Sequence, residues 1–334
     1  MSGIVLSASV RQNLLSLQST ADLLSTTQNR LATGKKVNTA LDNPTNYFTA
    51  QGLDNRANDI SNLLDGIGNG VQVLQAANTG ITSLQKLVDT AKSIANQVLQ
   101  TTVGYSTRST VSSTAALGGT AANLVDGVTI KSGDVLAIAA TGGGTATSIL
   151  FGASESLDQL NAALAANNVS ASLDSTGNLV FTTTNDAASA TLGAVGGTAL
   201  AFTGVAAAAP PIADAASQTI RANLVSQYNG IIAQITTTAQ DSSFNGINLL
   251  NGDNLKLTFN ETGKSTLNIA GVTYDGTGLG LNSLAAATDF LDNNSANQVI
   301  TALSAASTTL RTEASTLGSN LLSTAERIQA SVAE

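Results

Sequence analysis

Few residue groups in the chain have the types and spacing that catalysis requires. The Gly-Lys-Ser triplet at residues 263–265 matches the end of a phosphate-binding loop, but Thr258 stands where that loop needs its first glycine. Ser83 and Lys86 have the spacing of a serine nucleophile and its lysine, yet the companion S-D-N and K-T-G triplets are absent. We interpret the first group as a hairpin turn and the second as helix surface.

Other potential binding sites are equally weak. The glycines at residues 142–144 and 276–280 lack the strand–helix context of a dinucleotide loop, and the acidic residues never have calcium-loop spacing. The chain has no Cys and no His, which excludes thiol nucleophiles, Cys/His zinc sites and imidazole acid–base catalysis. The Asn-x-Ser/Thr triplets are expected by chance in this composition; they begin at Asn168, Asn260 and Asn293. We predict no enzyme, no catalytic residue, no cofactor and no metal site.

The composition favours a protein that assembles with copies of itself. Charged residues are 11% of the 334-residue chain, against roughly 25% in typical domains, whereas hydrophobic residues are 43%. The net charge of -8 and the scattered basic residues argue against a nucleic-acid surface, which needs clustered Lys and Arg. Uncharged polar groups cost less to desolvate than ions, so such a surface is easily buried between copies.

No segment is predicted to insert into a membrane. The longest charge-free stretch, residues 187–213, contains several glycines and the Pro210-Pro211 pair, which indicate loops rather than a spanning helix. The amino terminus lacks the basic region of a secretory signal peptide, and Ser7 and Ser9 interrupt its apolar run.

Near the amino terminus, apolar residues recur at alternating steps of four and three. This heptad pattern predicts a helix of about 25 residues whose apolar face packs against other helices. Gly34 can adopt the left-handed conformation that ends a helix, and Lys35 and Lys36 suit the carbonyl end of its dipole. The members of the pattern are Val10, Leu14, Leu17, Ala21, Leu24, Gln28 and Leu31.

A second, long helix is predicted to begin at Asn43-Pro44, because proline fits the first helical position. Its heptad pattern shifts by three residues after Ile81, which would overwind a supercoil. The pattern contains Leu53, Ala57, Ile60, Leu64, Ile67, Val71, Leu74, Asn78 and Ile81, then Leu84, Leu87, Ala91, Ile94 and Val98. Gly66, Gly68 and Gly70 each disfavour a helix by about 1 kcal/mol. Either close packing of helices requires these glycines or the helix breaks there.

The middle of the chain changes to short β-prone runs. Residues 127–138 predict two strands around a turn, residues 156–168 a helix, and residues 169–183 a β-hairpin. This pattern indicates an α+β insert between residues 110 and 211.

After the insert, helical patterns return on both sides of a hairpin. Asp214 is the predicted N-cap of a helix, and residues 255–259 and 265–274 alternate as two strands. The face of that helix contains Ile220, Leu224, Tyr228, Ile231 and Ile235. A carboxy-terminal heptad pattern follows at Leu303, Ser307, Leu310, Ala314, Leu317, Leu321, Thr324 and Ile328. Both ends of the chain are therefore predicted to form coiled-coil-like helices.

Three stretches resemble a known family. Residues 30–64, RLATGKKVNTALDNPTNYFTAQGLDNRANDISNLL, closely resemble the amino-terminal block of bacterial flagellins. Residues 224–252, LVSQYNGIIAQITTTAQDSSFNGINLLNG, look like the carboxy-proximal block, in which D-x-S-F/Y-N-G-I-N-L-L is characteristic. Residues 156–183, SLDQLNAALAANNVSASLDSTGNLVFTT, are similar to the β-α-β module of flagellins and hook-associated proteins.

The resemblance implies a mainly α fold with a β-rich insert. Both chain ends would form a long antiparallel coiled-coil-like rod, with an α+β outer domain and a β-hairpin in the returning segment. The implied divisions are a helical arm lining an inner tube (1–43), a long rod helix (44–109), the outer insert (110–212) and returning rod helices (213–334) with the hairpin at 255–274.

The resemblance also implies a function without catalysis. The chain would be a structural subunit that polymerises into the extracellular flagellar filament, a motility propeller. Its partners would be copies of itself, the flagellar export apparatus and a chaperone, the filament cap and hook-associated proteins. A hook–filament junction protein is the alternative, and an adhesin or enzyme carried by the insert is a third hypothesis.

The site residues that follow from this interpretation form three groups. The candidates for the polymer interface are Val10, Leu14, Leu17, Leu24, Leu31, Leu310, Leu317, Leu321 and Ile328. The hairpin, which would switch protofilaments between two packings, contributes Leu255, Leu257, Phe259, Leu267 and Ile269. The segment that an innate-immune toll-like receptor reads in many flagellins contributes Gln85, Lys86, Val88 and Asp89.

Two departures from the family bear on these expectations. Family members usually continue with a further apolar helix that pairs with the amino-terminal arm, whereas this sequence stops at Glu334, so a truncated or atypical chain is expected to polymerise poorly unaided. Val88 stands where the receptor segment has its key arginine, which predicts weak receptor activation because the cation is lost.

Overall fold

The computed structural model describes residues 7–332, and side chains as far as residue 329. α-Helices make up about half of the chain. They are α1 (Ala8–Thr33), α2 (Pro44–Gln100), α3 (Leu157–Leu164), α4 (Ala215–Asp241) and α5 (Asn293–Val332). The strands are β1 (Tyr105–Thr107), β2 (Thr110–Ser112), β3 (Val135–Ile138), β4 (Thr147–Leu150), β5 (Val169–Leu173), β6 (Leu179–Thr183), β7 (Val195–Gly197), β8 (Ile212–Ala213), β9 (Leu255–Thr258) and β10 (Thr266–Ile269). Long helices towards both ends, with a β-rich region between them, confirm the coarse fold prediction.

The chain divides into two compact units, described separately below. The first contains residues 1–70, 256–267 and 327–334, and the second contains residues 71–255 and 268–326. In the first unit, α1 ends where the sequence predicts, because Gly34 adopts the left-handed conformation at φ +67°. α2 then begins at Pro44, with the amide of Asn46 donating to the Asn43 side chain at 3.1 Å.

In the second unit, the buried face of α2 follows an uninterrupted heptad. The predicted shift of three residues is therefore wrong: Leu87 and Ile94 are only half-buried, and Asn78 is exposed. Several of the buried positions carry alanine. A pattern based on hydropathy alone places larger neighbouring side chains on the buried face instead. The buried positions of this heptad are Leu74, Ala77, Ile81, Leu84, Val88, Ala91, Ala95 and Val98, and Val73 is buried beside them.

α2 also continues without a break through its three central glycines, so the alternative of a helix break is wrong. A Cβ added at Gly66 or Gly68 would meet open space, whereas one at Gly70 would collide with the side chain of Leu257. Close packing therefore explains Gly70 alone.

α4 begins after Asp214, whose carboxylate accepts the amide of Ser217 at 3.0 Å, as predicted for an N-cap. The predicted apolar face needs correction, however, because Ile220 is exposed and Ile231 is only half-buried. A charged residue that the hydrophobic pattern missed, Arg221, is completely buried in their place.

The guanidinium of Arg221 compensates for its burial with backbone hydrogen bonds. Nη2 donates to the carbonyls of Val98 at 3.1 Å and Thr101 at 3.0 Å, and Nε donates to that of Thr102 at 2.7 Å. Nη1 donates to the carbonyl of Phe290 at 2.5 Å. Arg221 therefore caps the carboxyl end of α2 and joins it to a distant part of the chain.

The insert, residues 110–212, contains two three-stranded antiparallel sheets, in the orders β2-β6-β5 and β4-β3-β7. The hairpin of β5 and β6 confirms the prediction, with Leu173 opposite Leu179 and Gly177 at φ +85° in the turn. Three phenylalanines from different segments meet in the core of the insert: Phe151, Phe181 and Phe202.

The first of the two strands predicted between residues 127 and 138 does not form. The carboxylate of Asp126 accepts the amides of Val128, Thr129 and Ile130 at 2.8, 2.7 and 3.1 Å. These donors are unavailable to a sheet, so only Val135–Ile138 forms a strand, and it pairs with β4 and β7.

The returning segment contains the predicted hairpin of β9 and β10, but its second strand ends at Ile269. Tyr274, predicted to lie in that strand, is buried beside α5, and its hydroxyl donates to Glu313 Oε2 at 3.0 Å.

Candidate assembly surface

α1 exposes its whole apolar face. None of its residues is buried, and the exposed fraction reaches 83% at Leu31. In the part of the chain that the structure describes, twelve of the twenty exposed large apolar side chains lie between Val10 and Leu64. Those in α1 are Val10, Leu14, Leu15, Leu17, Leu23, Leu24 and Leu31. The interface candidates predicted in this helix are therefore accessible to a neighbouring molecule.

Several hydroxyl side chains of α1 make hydrogen bonds within the helix, which lowers the cost of burying them. The hydroxyl of Thr20 donates to the carbonyl of Ser16 at 2.9 Å, and that of Thr27 donates to the carbonyl of Leu23 at 2.7 Å. Because these hydroxyls already donate hydrogen bonds within the helix, removing water from them costs less than removing it from a donor that is left unpaired.

The linker between α1 and α2 holds its shape through polar contacts. The Asp42 carboxylate accepts the amides of Asn38 and Thr39, both at 3.0 Å, and lies 3.8 Å from Arg30. These backbone hydrogen bonds hold the pKa of Asp42 below its usual value. Leu41 beside it is 97% exposed, so the exposed apolar surface continues through the linker.

The candidates in α5 are placed differently. Leu310 and Leu317 are buried within the chain, so the prediction that they contact another copy is wrong. Residues of the same chain cover these two positions of the heptad pattern. Leu321 and Ile328 are half-buried, while Leu322, outside the predicted set, is 62% exposed.

The hairpin residues of the first unit pack on the first half of α2. Leu257 is buried beside Gly70, and Phe259 is buried with the guanidinium of Arg327 5.4 Å from its ring centroid. Arg56 Nε lies 3.2 Å from Glu261 Oε2 above an open groove. Leu267 is half-buried in this unit. In the second unit, the hairpin ends are buried at Leu255 and Ile269.

The predicted receptor segment lies on α2. Val88 is completely buried, so it cannot present a side chain to a receptor on the surface of this structure. Lys86 and Asp89 are exposed, and Gln85 is half-buried. The identity of residue 88 therefore affects the core directly rather than a surface contact.

The residues that could have carried out chemistry have structural roles. The triplet at 263–265 lies in the hairpin turn between β9 and β10, with Gly263 at φ +69°, and precedes a strand rather than a helix. The Ser83 hydroxyl donates to the carbonyl of Thr79 at 3.1 Å. Among the described residues, no three potential metal ligands lie together, and no helix is both long and apolar enough to span a membrane.

Comparison with known proteins agrees with the motifs. Residues 5–124 match the family described as the bacterial flagellin N-terminal helical region. No curated protein matches the chain. The match includes α1, the linker and all of α2. The resemblance to bacterial flagellins is thereby confirmed for the amino-terminal third of the chain, which is similar to the bacterial flagellin N-terminal helical region.

Proposed function

We propose that this protein is a structural subunit that polymerises, outside the cell, into a flagellar filament used as a motility propeller. The observation that carries the proposal is α1, a helix of 26 residues with a heptad of exposed apolar side chains and no buried residue. A heptad pattern predicts a helical partner along its full length, because side chains spaced this way interlock with those of another helix.

The free energy available from this surface is sufficient for association. Burying one Leu or Val side chain stabilises by about 1.5–3 kcal/mol. The five predicted candidates in α1 could therefore offset much of the roughly 4–15 kcal/mol that association costs in lost freedom. Contacts of α2 would add to this, since Phe48 and Leu53 are both 63% exposed.

The finer arrangement forms part of the proposal. The arm (1–43) would line the inner tube, the long helix (44–109) and the returning helices (213–334) would form an antiparallel rod, and the insert (110–212) would face outwards. The hairpin would adjust the packing between protofilaments. The flagellar export apparatus, a chaperone, the filament cap and hook-associated proteins would be its other partners.

Polymerisation of a Leu24→Asp variant tests the proposal. We expect sedimentable filaments from the unchanged chain, with sonicated polymer as seeds, and none from the variant, since an unpaired charge in a helix seam costs several kcal/mol. Gln12→Asp, outside the heptad positions of α1, is the matched control and should polymerise normally.

Electron microscopy distinguishes the possible outcomes. Normal filaments from Leu24→Asp would show that the α1 face is not the interface. If the unchanged chain stops the growth of seeds instead of extending them, the result supports the alternative function, a hook–filament junction protein, over that of a filament subunit.

A further inference from the structure

The segment from Phe290 to Asn294 is where three parts of the second unit meet. The carbonyl of Phe290 accepts from Arg221, and the carbonyl of Leu291 accepts the amide of Gly104 at 3.1 Å. Gly104 in turn accepts the amide of Asp214 at 3.0 Å. This segment therefore joins the helical body, meaning α4 and the second-unit parts of α2 and α5, to the chain entering and leaving the insert.

The insert has an apolar core of its own. β1 pairs with β8 as a two-stranded ribbon through which the chain enters and leaves the insert. The core cluster of the insert is built entirely from its own residues. A domain joined by two strands and built around its own core can rotate unless other contacts hold it.

Polar contacts between the insert and the helical body lie at the start of α5. Asp292 Oδ2 accepts the hydroxyl of Ser189, from the insert, at 2.5 Å, while Oδ1 accepts the amide of Ser295 at 2.9 Å. Asn294 Nδ2 lies 3.5 Å from the carbonyl of Gly142. Asn293 Oδ1 is buried without a hydrogen-bond partner among the described residues, which lowers the net stability of this junction.

We propose that the Ser189–Asp292 hydrogen bond is a latch that fixes the orientation of the insert on the helical body. The β1–β8 ribbon is the hinge about which the insert turns when this bond is absent. Within a polymer the latch would determine which face of the insert is presented outwards; that consequence rests on the proposed function, whereas the latch itself is a property of the single chain.

The charges around Asp292 determine which side of the latch should be altered. Burial raises the pKa of Tyr105, and the charge of Asp292 raises it further. Burial lowers the pKa of Arg221, and Asp292 opposes that shift. Replacing Asp292 would therefore disturb the ribbon and the buried arginine, whereas Ser189→Ala removes the latch from the insert side only.

Distances between spin labels test the latch in the full chain. The native chain has no Cys, so Ser175→Cys in the insert and Gln97→Cys in α2, both exposed, are the two labelling sites. We expect a narrow distance distribution with Ser189 present and one about twofold broader in Ser189→Ala, as a released hinge requires. Ser148→Ala, an exposed serine on β4, is the matched control and should keep the narrow distribution.

The same measurement can overturn the inference. An unchanged distribution in Ser189→Ala, with native circular dichroism, would show that the hydrogen bond does not hold the insert. A broad distribution in the chain that retains Ser189 would show the same. Both results come from unpolymerised protein, so failure of the latch is distinguishable from failure of the proposed assembly.

Discussion

At the scale of single residues, two buried or half-buried charges organise segments that carry little regular structure. Arg221 holds carbonyls of residues 98–102 and Phe290, and Asp126 holds the loop before β3 through amides at Gly118 and residues 128–130. In both cases a side chain replaces the backbone partners that a helix end or strand would otherwise supply. Each residue therefore carries more stability than an ordinary surface charge does.

Replacing Arg221 by Met should strongly destabilise the chain. The substitution leaves several buried carbonyls without a donor, so we expect a loss of about 3 kcal/mol or more in the free energy of unfolding. Urea unfolding followed by circular dichroism measures it. Arg311→Met, at an exposed position of α5, is the control and should change the midpoint little. Equal midpoints for the two variants would contradict this role.

Asp126 should make the insert sensitive to acid. Burial alone would raise its pKa, but hydrogen bonds from the Thr129 hydroxyl and from the amides of Val128, Ile130 and Gly118 outweigh that effect and hold it far below its usual value. Because the folded pKa lies below the unfolded one, this stability is present above about pH 4 and is lost as pH falls below it.

Asp126→Asn should therefore destabilise the insert at pH 7 and have a smaller effect at pH 3. Hydrogen exchange of the amides in β3 and β6 at both pH values is the measurement. Asp158→Asn, in the first turn of α3, offers a comparison outside this loop. The same loss of protection at both pH values would argue against an ionised carboxylate as the cause.

At the scale of elements, α2 shows that packing and helix propensity determine the effect of a glycine at different positions of one helix. Gly66 and Gly68 face open space, while Gly70 lies against Leu257. The first two therefore carry the cost of glycine in a helix without a contact that requires them. The third gives the hairpin room to approach.

Alanine substitutions should separate these roles. Gly68→Ala should stabilise α2 by about 1 kcal/mol, the difference in helix propensity. Gly70→Ala should lose that gain and destabilise by about 1–3 kcal/mol, because its Cβ overlaps the buried Leu257 side chain. Thermal unfolding of both variants tests this, and stabilisation of equal size would show that the hairpin does not depend on Gly70.

At the scale of the whole molecule, charge is distributed unevenly between the parts with different proposed roles. Residues 1–70 carry five basic and five acidic side chains, whereas the insert carries six acidic residues and one lysine. The surface proposed for assembly is thus neutral and apolar. The insert holds most of the excess negative charge. Net charge of one sign favours solubility, so a surface formed by the insert is expected to be soluble.

Assembly should therefore depend little on ionic strength. Interfaces formed by apolar and uncharged polar groups are not screened by salt, unlike those formed by ion pairs. We expect the critical concentration for polymerisation to change by less than about threefold between roughly 0.05 and 0.5 M NaCl. A rise of tenfold or more, measured by sedimentation, would indicate that ion pairs drive assembly.

The sequence by itself determined the features that depend on local chemistry. Helix ends at Gly34, Pro44 and Asp214 follow from backbone preferences, the β5–β6 hairpin follows from alternation around a turn, and the absence of Cys and His excludes whole classes of catalysis. Only the tertiary structure decided which apolar side chains are left exposed. α1 and α5 carry similar heptads, but residues of the same chain bury Leu310 and Leu317, whereas the face of α1 remains open. Periodicity shows that a face requires a partner, and only the arrangement of the other elements determines whether the chain itself supplies one.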